Sequence, residues 1–342
     1  MNGSCGSARI AGGWLFVAIL LSSLVGCERQ TETPPRETGG AQQVSQQQQQ
    51  PPGTPQQPSG QPGRSPAGAP VPMLVPVEEL TSRLNESNLR VLDARDVEAY
   101  AAGHIPGAVW VETDQWKEQS LAENGLRDAT FWAEHVGQLG IDATTNVVVY
   151  SQNPTDAARV WWTLKYVGVP NVALLDGGWT AWQQAGGAAS TDETEIAARS
   201  FTPSFQTDRL TQIGDLKQSL KADDVVVIDA RSIGEFSGTS GPGTRQGRIP
   251  GATHIEWTEF LDADNRFKSP AEIQAILAEK GVTGDKTVVT HCQSGGRAAL
   301  DAFALELAGI KNVRNYYCGW SEWSKDEAAP VEKPSDGGAT EK

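Results

Sequence analysis

Val91-Leu92-Asp93-Ala94-Arg95, followed by Gly103-His104-Ile105-Pro106-Gly107-Ala108, returns later in the chain as Val227-Ile228-Asp229-Ala230-Arg231 followed by Gly247-Arg248-Ile249-Pro250-Gly251-Ala252. A stretch read twice means two copies of one structural unit, which decides the architecture before any element is assigned. Further on, the copies stay in step without a gap. Gly140, Val147, Ser151, Gly168, Asn171, Trp179 and Trp182 match Gly281, Val288, Cys292, Gly309, Asn312, Trp320 and Trp323, each pair 141 positions apart.

Within each copy, short β-branched runs alternate with helix-like stretches. Val147-Val148-Val149-Tyr150 and Val225-Val226-Val227-Ile228 are too short for helices and read as buried strands. Ala157 to Val167 and Ala298 to Leu307 have helical spacing and stop at Gly168 and Gly309, good positions for a helix end. Strands alternating with helices predict an α/β fold in which each copy is a parallel sheet with helices on both faces, and ligands bind beyond the carboxyl ends of the strands. The expected domains are 73–187 and 209–325, joined by a polar linker over 188–208 and followed by a polar, frayed tail over 326–342.

The chain of 342 residues has a formal net charge of -14, which excludes nucleic acid as an expected partner. Its four cysteines, Cys5, Cys27, Cys292 and Cys318, have neither disulfide-framework nor zinc spacing, so no metal or other cofactor is expected.

Val288-Val289-Thr290-His291 reads as the end of a strand; Cys292-Gln293-Ser294-Gly295-Gly296-Arg297 follows, and then a helix begins. A cysteine placed there meets several backbone N–H groups and the positive end of a helix, both of which favour thiolate over thiol. The paired glycines allow a tight curl. Arg297 adds a fixed cation with planar donors suited to an oxyanion. In the first copy, Ser151 stands where Cys292 does and Asp156 where Arg297 does, so that copy lacks both the thiol and the cation.

Taken together, these features resemble the rhodanese family in its tandem form, over roughly 74–325. The residues carrying the resemblance are the two Asp-Ala-Arg strands, the Ile-Pro-Gly-Ala turns, the Cys292 loop, Leu175-Asp176-Gly177-Gly178-Trp179 and Trp320-Ser321-Glu322-Trp323. The resemblance implies a sulfurtransferase that moves a sulfane sulfur from a small anionic donor through a Cys292 persulfide to a thiophilic acceptor such as cyanide or a thiol. It implies that Gln293, Ser294, Gly295, Gly296 and Arg297 form the cradle, and that the first copy is a noncatalytic wall. Two other classes are open: a sulfur-binding sensory module without turnover, and a Cys-dependent phosphatase. The latter uses five residues between Cys and Arg, where this loop has the four from Gln293 to Gly296.

The donor is expected to be thiosulfate rather than 3-mercaptopyruvate. Glu235 stands where vertebrate-type members carry an arginine, and bacterial relatives with Glu-Phe at 235–236 are often assigned to thiosulfate. Arg297, with Arg245 and Arg231, is expected to bind it. Arg245 comes from an insert, Gly238 to Arg245, absent from the first copy. Arg231 is expected mainly to brace the loop edge through Asp229. Cys318, beyond the same sheet edge as Cys292, is a possible redox partner able to attack the persulfide or form a protective disulfide.

At the N-terminus, Arg9 precedes an apolar run from Ile10 to Val25 that ends in Gly26-Cys27. A positive n-region, an apolar h-region and a small residue before cysteine resemble a bacterial lipoprotein signal peptide over 1–26. That implies lipidation of Cys27 and an exported protein, held to a membrane and facing the periplasm or cell exterior. The Gln-, Pro- and Gly-rich stretch over 27–72 is expected to be a disordered tether, and the protein a monomer. Mass spectrometry of the membrane fraction should find the mature chain beginning at a lipid-modified Cys27. An intact Met1 terminus would contradict this.

Overall fold

The structure is a computed structural model that describes residues 69–243 and 245–333. The expected signal peptide, Cys27, most of the tether and the last part of the tail lie outside the described residues. Two all-parallel sheets form. The first holds β1 (Leu74–Val75), β2 (Leu89–Asp93), β3 (Val109–Trp110), β4 (Asn146–Tyr150) and β5 (Asn171–Leu175), in the order β1-β5-β4-β2-β3. The second holds β6 (Val225–Asp229), β7 (Thr253–His254), β8 (Thr287–His291) and β9 (Val313–Tyr316), in the order β7-β6-β8-β9. The orders superimpose when β6 is matched to β2 and β8 to β4. The second copy's counterpart of β1 is reduced to a single parallel bridge between Leu210 and Asn315.

Alternation along each strand explains why both faces of the sheets are covered. In the first sheet, Leu92, Val147, Val149 and Val172 enter one core, while Val91, Val148, Tyr150 and Ala173 enter another on the opposite face. In the second sheet, Ile228 and Val288 face the first of those cores, whereas Val227 and Val289 face a third cluster with Trp320 and Trp323. One core is therefore shared by both copies. At its centre the equivalent helices Pro154–Tyr166 and Gly296–Leu307 pack on each other. Trp161 meets Phe303 edge-on at 4.9 Å between ring centroids, and Trp162 meets Tyr317 at 5.0 Å. This contact brings the start of the second helix, and the loop before it, against the first copy.

The polar linker, the end of the expected tether and the start of the expected frayed tail are all anchored. In the linker, Ser190 pairs with His104, Arg199 N–H donates to the Gly137 carbonyl, Ser204 N–H donates to the Val167 carbonyl, and Phe201 is buried. At the end of the expected tether, the Ala69 carbonyl accepts from Asn146 Nδ2 at 2.9 Å and from Arg83, so the ordered chain begins before residue 73. The first part of the expected frayed tail is packed: Ala329 is buried, Trp323 Nε1 donates to the Pro330 carbonyl at 2.8 Å, and Arg248 pairs with Glu332. In each case fixed donors and acceptors of the folded domains tie down a polar backbone, which composition alone does not reveal. Among the described residues, no helix is long and apolar enough to cross a membrane.

Phe303 and Trp161 are both fully buried at the junction of the copies. Phe303→Ala should cost about 3–5 kcal/mol. Thermal unfolding followed by calorimetry should still show one transition, because the cavity opens in a core that both copies share. Two separated transitions would contradict the shared core.

Candidate active site

Cys292 follows β8 directly, 2% exposed, and the loop it begins runs into the Gly296–Leu307 helix. Every carbonyl of the loop before that helix is held from outside. The Cys292 carbonyl accepts from Trp320 N–H at 2.8 Å and the Gln293 carbonyl from Ser321 N–H at 3.1 Å. The Ser294 carbonyl accepts from Arg159 Nη1 at 2.7 Å. The Gly295 carbonyl accepts from Asn315 Nδ2 at 3.2 Å and from Ala299 N–H at 2.8 Å. In a trans peptide the C=O and the following N–H point in opposite directions. The N–H groups of Gln293, Ser294, Gly295 and Gly296 are therefore turned away from these anchors, to the inside of the loop. Among the described residues none of them meets an acceptor. Four convergent, unused donors next to a thiol, at a helix N-terminus, make an anion cradle. The approach of the Trp320 segment requires Gly319, which has φ +54°; a Cβ there would lie 2.2 Å from the Cys292 carbonyl oxygen.

Arg297 is held in a two-pronged ion pair by Glu235, at 2.6 and 2.9 Å. Burial works against the Arg297 charge, but the Glu235 hydrogen bond and the neighbouring Cys292 outweigh it and push its pKa up. Burial alone would raise the Glu235 carboxyl; the hydrogen bonds and charge of Arg297 prevail and hold it below the usual range. Glu235 also accepts from Ser232 in a capping box. The acid that the sequence marked as a lost arginine is thus the partner of the loop arginine.

Arg231 and Arg245, expected as donor-binding residues, are committed elsewhere. Arg231, 2% exposed, forks onto Asp229, donates to the Gly247 carbonyl at 2.9 Å and lies over the Trp320 ring. It braces the loop edge. Arg245 donates to the carbonyls of Ser324, Ala329, Trp323 and Asp326 at 3.1, 2.8, 2.7 and 2.6 Å. It clamps the tail, and its position in an insert beside the site misled the sequence reading. Cys292 is a free, buried thiol, so the possible Cys292–Cys318 link is not formed. Cys318 lines a cleft of about 770 Å³ with Leu126, Leu210, Thr211 and Tyr317, and Cys292 is not on its wall.

Two buried titratable residues flank the cradle. His291 and Asp301 are fully buried, and neither ring nitrogen of His291 nor either oxygen of Asp301 finds a hydrogen-bond partner. Burial pushes the Asp301 carboxyl well above the ordinary range, with the nearby Cys292 adding to the shift. Burial likewise lowers His291, against the pull of Asp229, whose carboxylate lies 3.4 Å away. The sequence reading missed both residues, and it missed Arg159. For Arg159 a signal existed: one cation inside the otherwise apolar run Ala157 to Trp162.

The first copy keeps the outer frame and fills the cradle. Trp179 N–H donates to the Ser151 carbonyl at 3.0 Å, as Trp320 does to Cys292. Inside, Asn153 N–H donates to Ser151 Oγ at 3.3 Å and Thr155 N–H to Asn153 Oδ1 at 3.1 Å, while Pro154 has no N–H to offer. That loop satisfies the N–H groups of Asn153 and Thr155 from its own side chains and, among the described residues, leaves only the Gln152 N–H without a partner where the second copy offers four.

A rhodanese-like domain model matches residues 76–185 and again 212–326. The chain is 30% identical to a 3-mercaptopyruvate sulfurtransferase of Escherichia coli K12, over 74% of this chain and 95% of that protein. It is 34% identical to the 3-mercaptopyruvate sulfurtransferase of Homo sapiens, over 68% and 81%. It is 31% identical to a thiosulfate sulfurtransferase of Pseudomonas aeruginosa, over 77% and 97%. Among solved structures it is similar to the anaerobic ergothioneine biosynthesis enzyme of Chlorobium limicola in complex with trimethyl histidine, with TM-score 0.68 and 26% identity over 76% of this chain and 70% of that one.

Arg245→Ala should reduce stability by about 2–3 kcal/mol through the lost charge-assisted bonds to carbonyls, measured by urea unfolding. Its kcat/KM for sulfur transfer should stay within about twofold of the wild type, since no barrier term is lost. Unchanged stability with a large kinetic loss would return Arg245 to the donor site.

Proposed function

We propose the following chemistry for a chain that belongs to the rhodanese family and is a sulfurtransferase. The Cys292 thiolate attacks the outer sulfur of a small anionic donor. A Cys292 S–S bond forms, and the bond from that sulfur to the rest of the donor breaks. Its electron pair leaves with sulfite when the donor is thiosulfate, or with the enolate of pyruvate when it is 3-mercaptopyruvate. A thiophilic acceptor such as cyanide or a thiol then attacks the terminal sulfur, and Cys292 leaves as thiolate. The observation carrying this reading is the set of four unused N–H donors around a buried, free cysteine. They suit one anionic sulfur, and oriented dipoles of this kind stabilise charge without reorganising. The donors meet no protein acceptor among the described residues, which favours turnover over a sensory role.

Thiosulfate is the donor proposed first, from Glu235-Phe236. The Glu235–Arg297 pair supports a second reading. It cancels much of the cationic charge that a dianion would use and leaves a site better matched to the single carboxylate of 3-mercaptopyruvate. The named relatives include enzymes of both kinds. The groups that anchor the loop all belong to this chain. The Gly26-Cys27 junction supports an exported, lipid-anchored protein.

Incubation with either donor, followed by intact-mass measurement, should show the gain of one sulfur atom located on Cys292. Cyanide should remove it as thiocyanate. Cys292→Ser should abolish both steps, whereas Ser151→Ala should retain most of the turnover. Full turnover by Cys292→Ser, or no sulfur gained by the wild type from either donor, would overturn the proposal. The ratio of kcat/KM for the two donors decides between the two readings.

A further inference from the structure

Arg159 belongs to the first copy, yet it is built into the loop of the second. It is 8% exposed and sits in a helix where Ala157, Ala158, Val160, Trp161 and Trp162 are all buried apolar neighbours. A cation so placed needs compensation, ordinarily a carboxylate. Among the described residues no carboxylate lies within ion-pair distance of Arg159. Its Nη1 instead donates to the Ser294 carbonyl at 2.7 Å and to the Tyr317 hydroxyl at 2.9 Å, with the Tyr317 ring 5.6 Å from the guanidinium carbon. Its Nη2 packs on Gly296: a Cβ added there would stand 2.7 Å from it. The second glycine of the loop pair therefore makes room for the guanidinium. The aligned residue of the second copy is Leu300, so the charge is no inherited feature of this helix. Asp156, three residues earlier on the helix, is a carboxylate whose charge reaches Arg159 without contacting it, and Cys292, across the loop that Arg159 holds, is a second group that favours its charge.

We propose that Arg159 is a positioning residue for sulfur transfer: it pins the Ser294 carbonyl outward, so that the Gly295 N–H faces the sulfur, and supplies a cation from the first copy behind the Cys292 anion. This rests on the reading of Cys292 as the sulfur carrier. It gives the noncatalytic copy a chemical contribution as well as a wall. Tyr317 holds the guanidinium in place, and the Trp162–Tyr317 contact fixes Tyr317 in turn.

The test compares Arg159→Met, Arg159→Lys and Tyr317→Phe in the full chain. The first readout is the pH profile of Cys292 alkylation with no sulfur donor present; the second is kcat and KM for transfer to cyanide. Arg159→Met should move the alkylation profile to higher pH by about one unit, the scale expected for losing one nearby opposite charge. It should lower kcat ten- to a hundredfold with a smaller change in KM. Arg159→Lys keeps the charge and should restore most of the pH profile, with a partial recovery of kcat. Tyr317→Phe removes only a hydroxyl and should move the profile in the same direction by less; it serves if Arg159→Met does not fold. A profile for Arg159→Met, or for Tyr317→Phe where the methionine variant is not obtained, that superimposes on the wild type overturns the proposal. So does an Arg159→Lys variant no better than Arg159→Met. Because alkylation is read without a donor, a wild type that accepts no sulfur would strike at the sulfurtransferase reading and leave this measurement standing.

Discussion

A trans peptide cannot turn its carbonyl and its N–H to the same side, and the loop after β8 uses that constraint four times in succession. Trp320, Ser321, Arg159 and Asn315 hold the carbonyls of Cys292, Gln293, Ser294 and Gly295 from outside. The N–H groups that follow are left facing inward, without acceptors. The four anchors come from three parts of the fold: the short helix Gly319–Trp323 after β9, β9 itself and a helix of the first copy. The parallel sheet order, which sets β9 beside β8, and the packing of the two equivalent helices are what bring those anchors to one loop. An unpaired buried N–H is unfavourable. Here the surrounding structure fixes four N–H groups without acceptors, those of Gly295 and Gly296 in buried residues.

The two copies show what the loop needs, because one retains the frame without the function. Trp179 repeats the Trp320 tie, so the outer geometry of the first loop survives. Its interior closes through Asn153 and Ser151 side chains, and Pro154 removes a donor outright. Such a loop gives up an anion site and gains internal hydrogen bonds. The first copy nevertheless reaches the loop of the second through Arg159, which holds the Ser294 carbonyl, while the apolar contacts of Trp161 and Trp162 pack its helix there.

Much of this was legible in the sequence. The repeat fixed in advance two α/β units, and the strand–loop–helix position of Cys292, with Gly295 and Gly296, marked the cradle. Local patterns carry that information, since strand periodicity and turn residues are set by neighbours in the chain. What was misread depended on contacts between distant residues. Glu235 looked like a missing cation, but it pairs with Arg297 far along the chain. Arg245 looked like a replacement cation, but its donors are spent on carbonyls of the tail. The ends of the described chain looked loose because composition does not show that Asn146 or Arg248 waits to bind them. Arg159 was visible as an isolated charge in an apolar helical run, and the structure shows that it holds the Ser294 carbonyl and the Tyr317 hydroxyl.

The central claim is that the inward N–H groups of the loop receive the charged sulfur carried by Cys292. Amide hydrogen exchange followed by NMR, before and after loading Cys292 with one sulfur from a donor, tests it most directly. The account predicts that the amides of Ser294, Gly295 and Gly296 exchange at least tenfold more slowly and move downfield once the persulfide is present, while the matching amide of Thr155 in the first copy does not change. Identical exchange and shifts in the two states would show that the persulfide lies outside the cradle and would contradict the account.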